Sequence, residues 1–190
     1  MDRVGRRIVV FGVTGSGKST LARRLGAALG VPMVELDAIR HGKGWDTTPY
    51  DVMRDQVAAM LDAAEDGWIC EGNYSRVRDI PLSRADTVVW LRLPWRVSFA
   101  RLLRRTIGRA LSDEPLYGPE GPRESLRKAF LSKESILWWS MSHHRKGIAG
   151  IERTLGEVRH AARVIVVRTA AEVEALVSLE ERESAEPQRQ

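Results

Sequence analysis

Between an apolar run, Ile8-Val9-Val10-Phe11, and a stretch with helical spacing, Ser19-Thr20-Leu21-Ala22-Arg23-Arg24-Leu25, the chain carries Gly12-Val13-Thr14-Gly15-Ser16-Gly17-Lys18-Ser19. The run reads as a buried strand and the stretch after it as a helix. The segment between them turns the chain with almost no side-chain bulk. It fills every constrained position of the pattern G-x-x-x-x-G-K-[ST], the P-loop. At average glycine usage, chance would produce the pattern in about one in a hundred chains of this length. The strand–loop–helix context is what the motif needs to be more than a string match.

The physics of the segment points to an anion. Small residues let successive backbone N–H groups turn inward around phosphate oxygens, and the helix N-terminus adds partial positive charge. Gly12, Val13, Thr14, Gly15, Ser16, Gly17, Lys18, Ser19 and Thr20 are therefore the expected ATP-binding residues. Lys18 can reach the β- and γ-phosphates, and the Ser19 hydroxyl can ligate Mg2+. A glycine-rich turn without a ligand is the alternative.

A chain of 190 residues suits one domain that buries its core without disulfides or metals. Cys70 is the only cysteine and lies in a strand-like run, where a buried inert thiol is expected; this fits a reducing compartment. No apolar stretch approaches bilayer-spanning length and the N-terminus lacks a signal-peptide core, so a soluble, cytoplasmic protein without membrane contact is expected. The formal charge of +5 is compatible with nucleic acid, a membrane surface or anionic small molecules as partners.

Further strands are predicted at 31–36, 68–70, 87–93 and 164–167, with helices at about 47–65, 95–110, 125–160 and 170–179. Residues 112–123 hold three prolines and two glycines with little apolar content, which predicts a mobile loop. A charged tail, 181–190, is expected to be disordered after a single domain over 1–180. Strands that are near-continuous apolar runs and alternate with helices imply an α/β fold with a parallel sheet covered on both faces. Ligands in such sheets sit beyond the C-terminal strand ends. That topology gathers the P-loop, Asp37 to Arg40, Glu71 to Asn73 and the turn after Leu93 around one crevice.

Phosphoryl transfer needs positioning, a metal and well-placed cations. Glu71, at a strand end, can orient Mg2+; a strand-end acid bonded to nearby backbone is the alternative. Asp37, Arg40 and Arg76 suit a second ligand, an arginine fork matching phosphate or carboxylate and Asp37 orienting or deprotonating a hydroxyl. Solvated ion pairs are the alternative for each. Arg101, Arg105 and Arg109 share a helix face, where like charges repel unless an anion answers them. Trp45, in a glycine-flanked loop, is suited to stack on an acceptor or to clamp the loop to the core. Trp90, Trp138 and Trp139 are expected in the core, and His41, His143, His144 and His160 at the surface or in helix packing.

These features resemble the adenylate-kinase-like branch of small P-loop kinases. The matching residues are Asp37 with Arg40 after the second strand, Glu71-Gly72 at the end of the third, and Pro94 with Arg101 and Arg105 after the fourth. The resemblance implies a five-stranded sheet in the order 2-3-1-4-5, a lid over about 111–126 and an acceptor side over about 37–65. It also implies that Arg101 and Arg105 flank the ATP phosphates at the lid base, with Lys133 and Arg145 loosely aligned as further basic residues. A closer resemblance is to a bacterial subgroup labelled DNA topology modulation proteins, through Leu36-Asp37, Gly44-Trp45, Glu71-Gly72-Asn73-Tyr74-Ser75 and the segment 131–139. Where adenylate kinases continue with Phe-Pro-Arg, this chain has Asn73-Tyr74-Ser75, with Arg76 one place later.

The resulting expectation is an ATP-dependent small-molecule kinase with Lys18, Arg101 and Arg105 as catalytic residues and Ser19 and Glu71 on the metal. Asp37, Arg40, Trp45, Glu71 and Arg76 form the expected acceptor site. A nucleoside monophosphate is the first acceptor expected, and a hydroxyl-bearing acid or sugar derivative the next. A nucleotide-dependent DNA-binding regulator, using arginines 92–109, and an NTPase without acceptor are the rivals.

Overall fold

The central strand of the protein is β1 (Arg7–Gly12), paired in parallel with β3 (Trp68–Glu71) on one side and β4 (Thr87–Leu91) on the other. A computed structural model describes residues 3–41, 46–112, 115–116, 135–158 and 161–185. β2 (Met33–Glu35) lies outside β3, and β5 (Arg163–Val167) outside β4, giving the sheet order β2-β3-β1-β4-β5. The α/β fold and strand order expected from the sequence are both present.

Alternation along β1 explains the layers, because successive side chains of a strand leave opposite faces. Val9 and Phe11 join a core cluster with Met53, Val57 and Leu61 of α3 (Tyr50–Ala63) and Ile151 and Leu155 of α6 (Ile136–Val158). Ile8 and Val10 join the opposite cluster with Leu21 and Leu25 of α1 (Lys18–Leu29) and Leu176 and Val177 of α7 (Ala170–Ala185). Burial on both faces is why each inner strand reads as an unbroken apolar run. The remaining helices are α2 (Leu36–Arg40), α4 (Asp79–Leu82) and α5 (Trp95–Ser112). Among the described residues no helix is long and apolar enough to cross a membrane.

Several boundaries differ from expectation. β2 stops at Glu35 and Leu36 begins α2; Leu36 is buried against the α3-side core, so its apolarity serves a helix rather than a longer strand. α7 runs to Ala185, beyond the expected end at 179 and into the expected tail. The reason is Glu180, 2% exposed, whose Oε1 accepts the backbone N–H of Val4 at 3.0 Å. Trp90 is in the core at 4% exposure, but Trp138 and Trp139 are 64% and 49% exposed. They stand in the first turn of α6, where Leu137 and Ser140 take the buried positions instead. Of the expected lid, only Leu111, Ser112, Pro115 and Leu116 fall among the described residues; Trp45 and Lys133 lie outside them.

Candidate active site

The P-loop leaves β1 at Gly12 and enters α1 through Gly17, which adopts φ +96° in the left-handed region. No side chain caps α1 and its first turn holds no acid. The first N–H groups of the helix are thus left for an anion rather than satisfied internally. Gly15 has φ +79°, and a Cβ there would lie 2.3 Å from the carbonyl oxygen of Ser98 and 2.9 Å from Cβ of Leu102. Only glycine fits, and the loop is pressed directly onto α5.

Glu71 ends β3 beside this loop. Its Oε1 accepts the Ser19 hydroxyl at 2.9 Å. The residue is 1% exposed and Oε2 has no hydrogen-bond partner. Burial pushes the Glu71 carboxyl above the usual carboxylate range; Lys18 pulls it back, Asp37 pushes it further up, and the Ser19 hydrogen bond and Arg105 pull it down. A buried carboxylate with an orphaned oxygen next to a hydroxyl is the donor chemistry of a hard divalent cation. Among the described residues no cluster of three or more His, Cys, Asp or Glu could hold a metal alone. The Ser19–Glu71 pair therefore fits Mg2+ completed by phosphate oxygens and water, its ordinary protein environment. Gly72 follows at φ +140°, where a Cβ would lie 2.7 Å from that of Leu36.

The arginine face of α5 lies along this acid-lined crevice. Arg101 donates through Nη1 to the Ser16 carbonyl at 3.4 Å. The charge of Arg105 is felt at Glu71 and that of Arg109 at Glu35. Glu35 is held above its usual range first by burial, then by Glu71 and Asp37. Arg92 has a different role: Nη2 is 2.8 Å from Glu152 Oε1, and its guanidinium stands over Trp90 at 5.0 Å.

On the other side of β3, Asp37 sits in α2 and its Oδ1 accepts the Tyr74 hydroxyl at 2.6 Å. His41 Nε2 is 3.3 Å from the same hydroxyl. Burial pushes the His41 pKa down, Asp37 opposes it, and Arg40 adds to the fall. Arg40 donates to the Thr48 carbonyl and lies over the Tyr50 ring at 4.2 Å, while Arg76 lies 5.0 Å from that ring centre. Arg54 holds the segment by donating to the Arg76 carbonyl at 2.6 Å while pairing with Asp79. Asp37, Arg40 and Arg76 are thus brought to one region around Tyr50 and Tyr74, whose rings are 6.5 Å apart.

Asn73, Tyr74 and Tyr50 were given no site role by sequence reasoning, and His41, expected at the surface or in helix packing, instead stands partly buried against the Tyr74 hydroxyl. Asn73 donates through Nδ2 to the Gly12 carbonyl at 2.6 Å and so ties the start of the P-loop to the end of β3. The available signal was the run of polar residues directly after a strand that ends in an acid. Asn73→Asp sets a carboxylate against that carbonyl in place of a donor, leaving two acceptors face to face. A loss of about tenfold in affinity for a non-hydrolysable ATP analogue is expected, the scale of losing one part-buried hydrogen bond; calorimetric titration in the presence of Mg2+ measures it.

His143 is exposed and stacks on Trp139 of its own helix at 5.2 Å, while His144 meets Trp95 of α5 edge-on at 6.5 Å, a surface and a helix-packing position as expected; His160 lies outside the described residues.

Comparison with known proteins gives the same picture. No family model matches the chain. A shikimate kinase of Paramagnetospirillum magneticum is 33% identical over 150 residues, covering 70% of this chain and 72% of the relative. An adenylate kinase of Mycobacterium marinum is 29% identical over 131 residues, 57% of this chain and 72% of the relative. Among solved structures, a gluconokinase from Sinorhizobium meliloti 1021 shares the fold, with a TM-score of 0.52 at 19% identity over 97% of this chain and 94% of that one. With a strand–P-loop–helix unit at the centre of a 2-3-1-4-5 sheet and a kinase relative aligned over most of its length, the chain belongs to the P-loop small-molecule kinases.

Proposed function

We propose that the protein transfers the γ-phosphoryl group of ATP to a hydroxyl of a small anionic acceptor. The observation that carries this reading is the buried Glu71 carboxylate beside the P-loop, bonded to the Ser19 hydroxyl at 2.9 Å and with its second oxygen unpartnered. Donor phosphates would lie on residues 12–20, with Lys18 neutralising β- and γ-oxygens. Ser19 and Glu71 would hold Mg2+, which when bound draws off charge from those oxygens. Arg101 and Arg105 would meet the charge that spreads during transfer. Asp37 would take the proton of the acceptor hydroxyl as its oxygen bonds to phosphorus; the bond to ADP breaks and its electron pair leaves with ADP.

The acid-rich acceptor side supports a hydroxyl over a phosphate. A nucleoside monophosphate attacks through an oxygen already deprotonated at neutral pH, so Asp37 has no proton to take from it. It would also carry a dianion among Glu35, Asp37 and Glu71. A hydroxy acid or sugar acid leaves work for Asp37 and offers Arg40 and Arg76 one carboxylate to pair with. This reverses the order of acceptors expected from the sequence. The shikimate kinase relative and the gluconokinase of the same fold agree with a hydroxyl acceptor, and the adenylate kinase relative with a nucleotide. The DNA-binding alternative, which uses arginines 92–109, loses support from Arg92, whose guanidinium pairs with Glu152 and stands over Trp90.

The test is a screen of shikimate, gluconate, other small hydroxy acids, sugars and nucleoside monophosphates, reading ADP release from ATP with Mg2+. At least one hydroxyl acceptor is expected to raise ADP release about tenfold or more over ATP alone, as binding energy is spent on the transfer step. An ADP release rate that no acceptor changes, together with DNA affinity that falls steeply with log salt, would overturn the reading.

A further inference from the structure

We propose that Tyr74 is the positioning residue of the acceptor side, holding Asp37 in the orientation that presents its second carboxylate oxygen to the acceptor hydroxyl, and that His41 fixes Tyr74 in turn. The role rests on the hydroxyl-acceptor reading above; the chain of hydrogen bonds stands on geometry alone.

Asp37 belongs to a helix of five residues, Leu36–Arg40, in which only Leu36 is buried. So short an element does not lock a carboxylate rotamer by packing. The lock comes from Tyr74, at 2.6 Å from Oδ1, a short bond of the kind made to an ionised acceptor. A phenol has one hydrogen, and an ionised carboxylate only accepts. Once the Tyr74 hydrogen is spent on Asp37, its oxygen has only lone pairs left for His41 Nε2 at 3.3 Å. The His41 ring must therefore carry its proton on Nε2. Burial also pushes the His41 pKa down, in the direction of the neutral ring that this single-proton arrangement requires.

The Tyr74 ring has a separate attachment, tilted at 60° against Tyr50, which carries the guanidinium groups of Arg40 and Arg76. Removing the hydroxyl alone therefore leaves the ring packing in place. Tyr74 also follows Asn73 directly and Glu71 by three positions. Three residues of one short segment thus reach Ser19, the Gly12 carbonyl and Asp37. Tyr74 is the member of the segment that serves the acceptor.

Two measurements on the full chain decide the proposal. Long-range proton–nitrogen correlation spectra of histidine-labelled protein are expected to show His41 as the Nε2–H tautomer in the wild type, and to show that preference weakened or lost in Tyr74→Phe. A wild-type Nδ1–H tautomer, or a His41 signal unmoved by Tyr74→Phe, overturns the bond chain whatever the acceptor is. With whichever of shikimate or gluconate the wild type turns over, Tyr74→Phe is expected to lower kcat about tenfold while KM for ATP stays within about twofold. In an Asp37→Asn background the same change is expected to cost nothing further, because the group it positions is gone. Equal losses in KM for ATP, or full additivity with Asp37→Asn, overturn the positioning role. If the wild type turns over neither, or turns over AMP alone, the hydroxyl-acceptor reading fails on those probes, and the tautomer measurement alone decides the Asp37–Tyr74–His41 chain.

Discussion

Glu71→Gln is expected to lower kcat about a hundredfold, the scale of losing a group that stabilises transition-state charge, while making the metal- and nucleotide-free protein more stable at neutral pH. Both effects come from one carboxylate. Gln keeps the shape and an oxygen to accept the Ser19 hydroxyl, as Glu71 Oε1 does at 2.9 Å, but removes the charge a divalent cation needs. In the empty protein that charge is a liability. Burial raises the folded-state pKa of Glu71, so its contribution to stability is fully present below the unfolded value of about 4.3 and is lost as pH rises through the raised folded value. Glu35 acts in the same direction, and Asp79, lowered by its hydrogen bond to Arg54, in the opposite one. Comparing wild type with Glu71→Gln cancels these other groups. In melts with a metal chelator, the variant should gain on the wild type progressively from pH 4 to pH 7. Adding Mg2+ and a non-hydrolysable ATP analogue should stabilise the wild type more than the variant. A variant less stable than wild type at pH 7 without metal would contradict this account.

Lys18→Ala is expected to reduce kcat/KM for ATP about a thousandfold, because no other residue of the loop supplies charge to the transferring phosphoryl group. Lys18 opens α1, and its charge is the largest influence drawing the Glu71 carboxyl back toward its ordinary range. Losing it therefore leaves Glu71 more inclined to hold a proton, and metal affinity should fall along with nucleotide affinity. Steady-state ADP release and titration of the analogue check both. Turnover within about tenfold of wild type would place the triphosphate elsewhere. DNA binding, if present, should survive the substitution.

The architecture was legible because local signals agree with one another. The glycine-lined turn sits between an apolar run and an amphipathic stretch, and each inner strand is apolar throughout since both of its faces are covered. The errors fall where a residue's partner is remote. Glu180 reads as a charged residue past the end of the last expected helix, and nothing near it reveals that its acceptor oxygen is claimed by the backbone of Val4, 176 positions away. Leu36 reads as more strand because an apolar residue after apolar residues carries no mark of the change to a helix. Trp138 and Trp139 read as core because aromatic bulk is usually buried, yet helix phase turns them outward.

The site shows the same division. Lys18, Ser19, Glu71 and the arginine face were readable from residue type, spacing and strand-end position. Asn73 and Tyr74 were visible as part of a motif but not in their roles. Those roles depend on Gly12 and Asp37, which lie 61 and 37 positions away and meet them only in the folded sheet.

The contact between Gly15 and the Ser98 carbonyl has one more consequence. With no room for even a methyl group between them, the phosphate cradle and the guanidinium row are geared together and cannot drift independently. On the proposed function, a triphosphate settling into the cradle would meet cations already in register, with little reorganisation left to perform at the moment of transfer, which is when fixed charge acts at least cost. A bulkier side chain at Gly15 would therefore act as a lever, tilting the whole row away from its target while every arginine in it stayed intact.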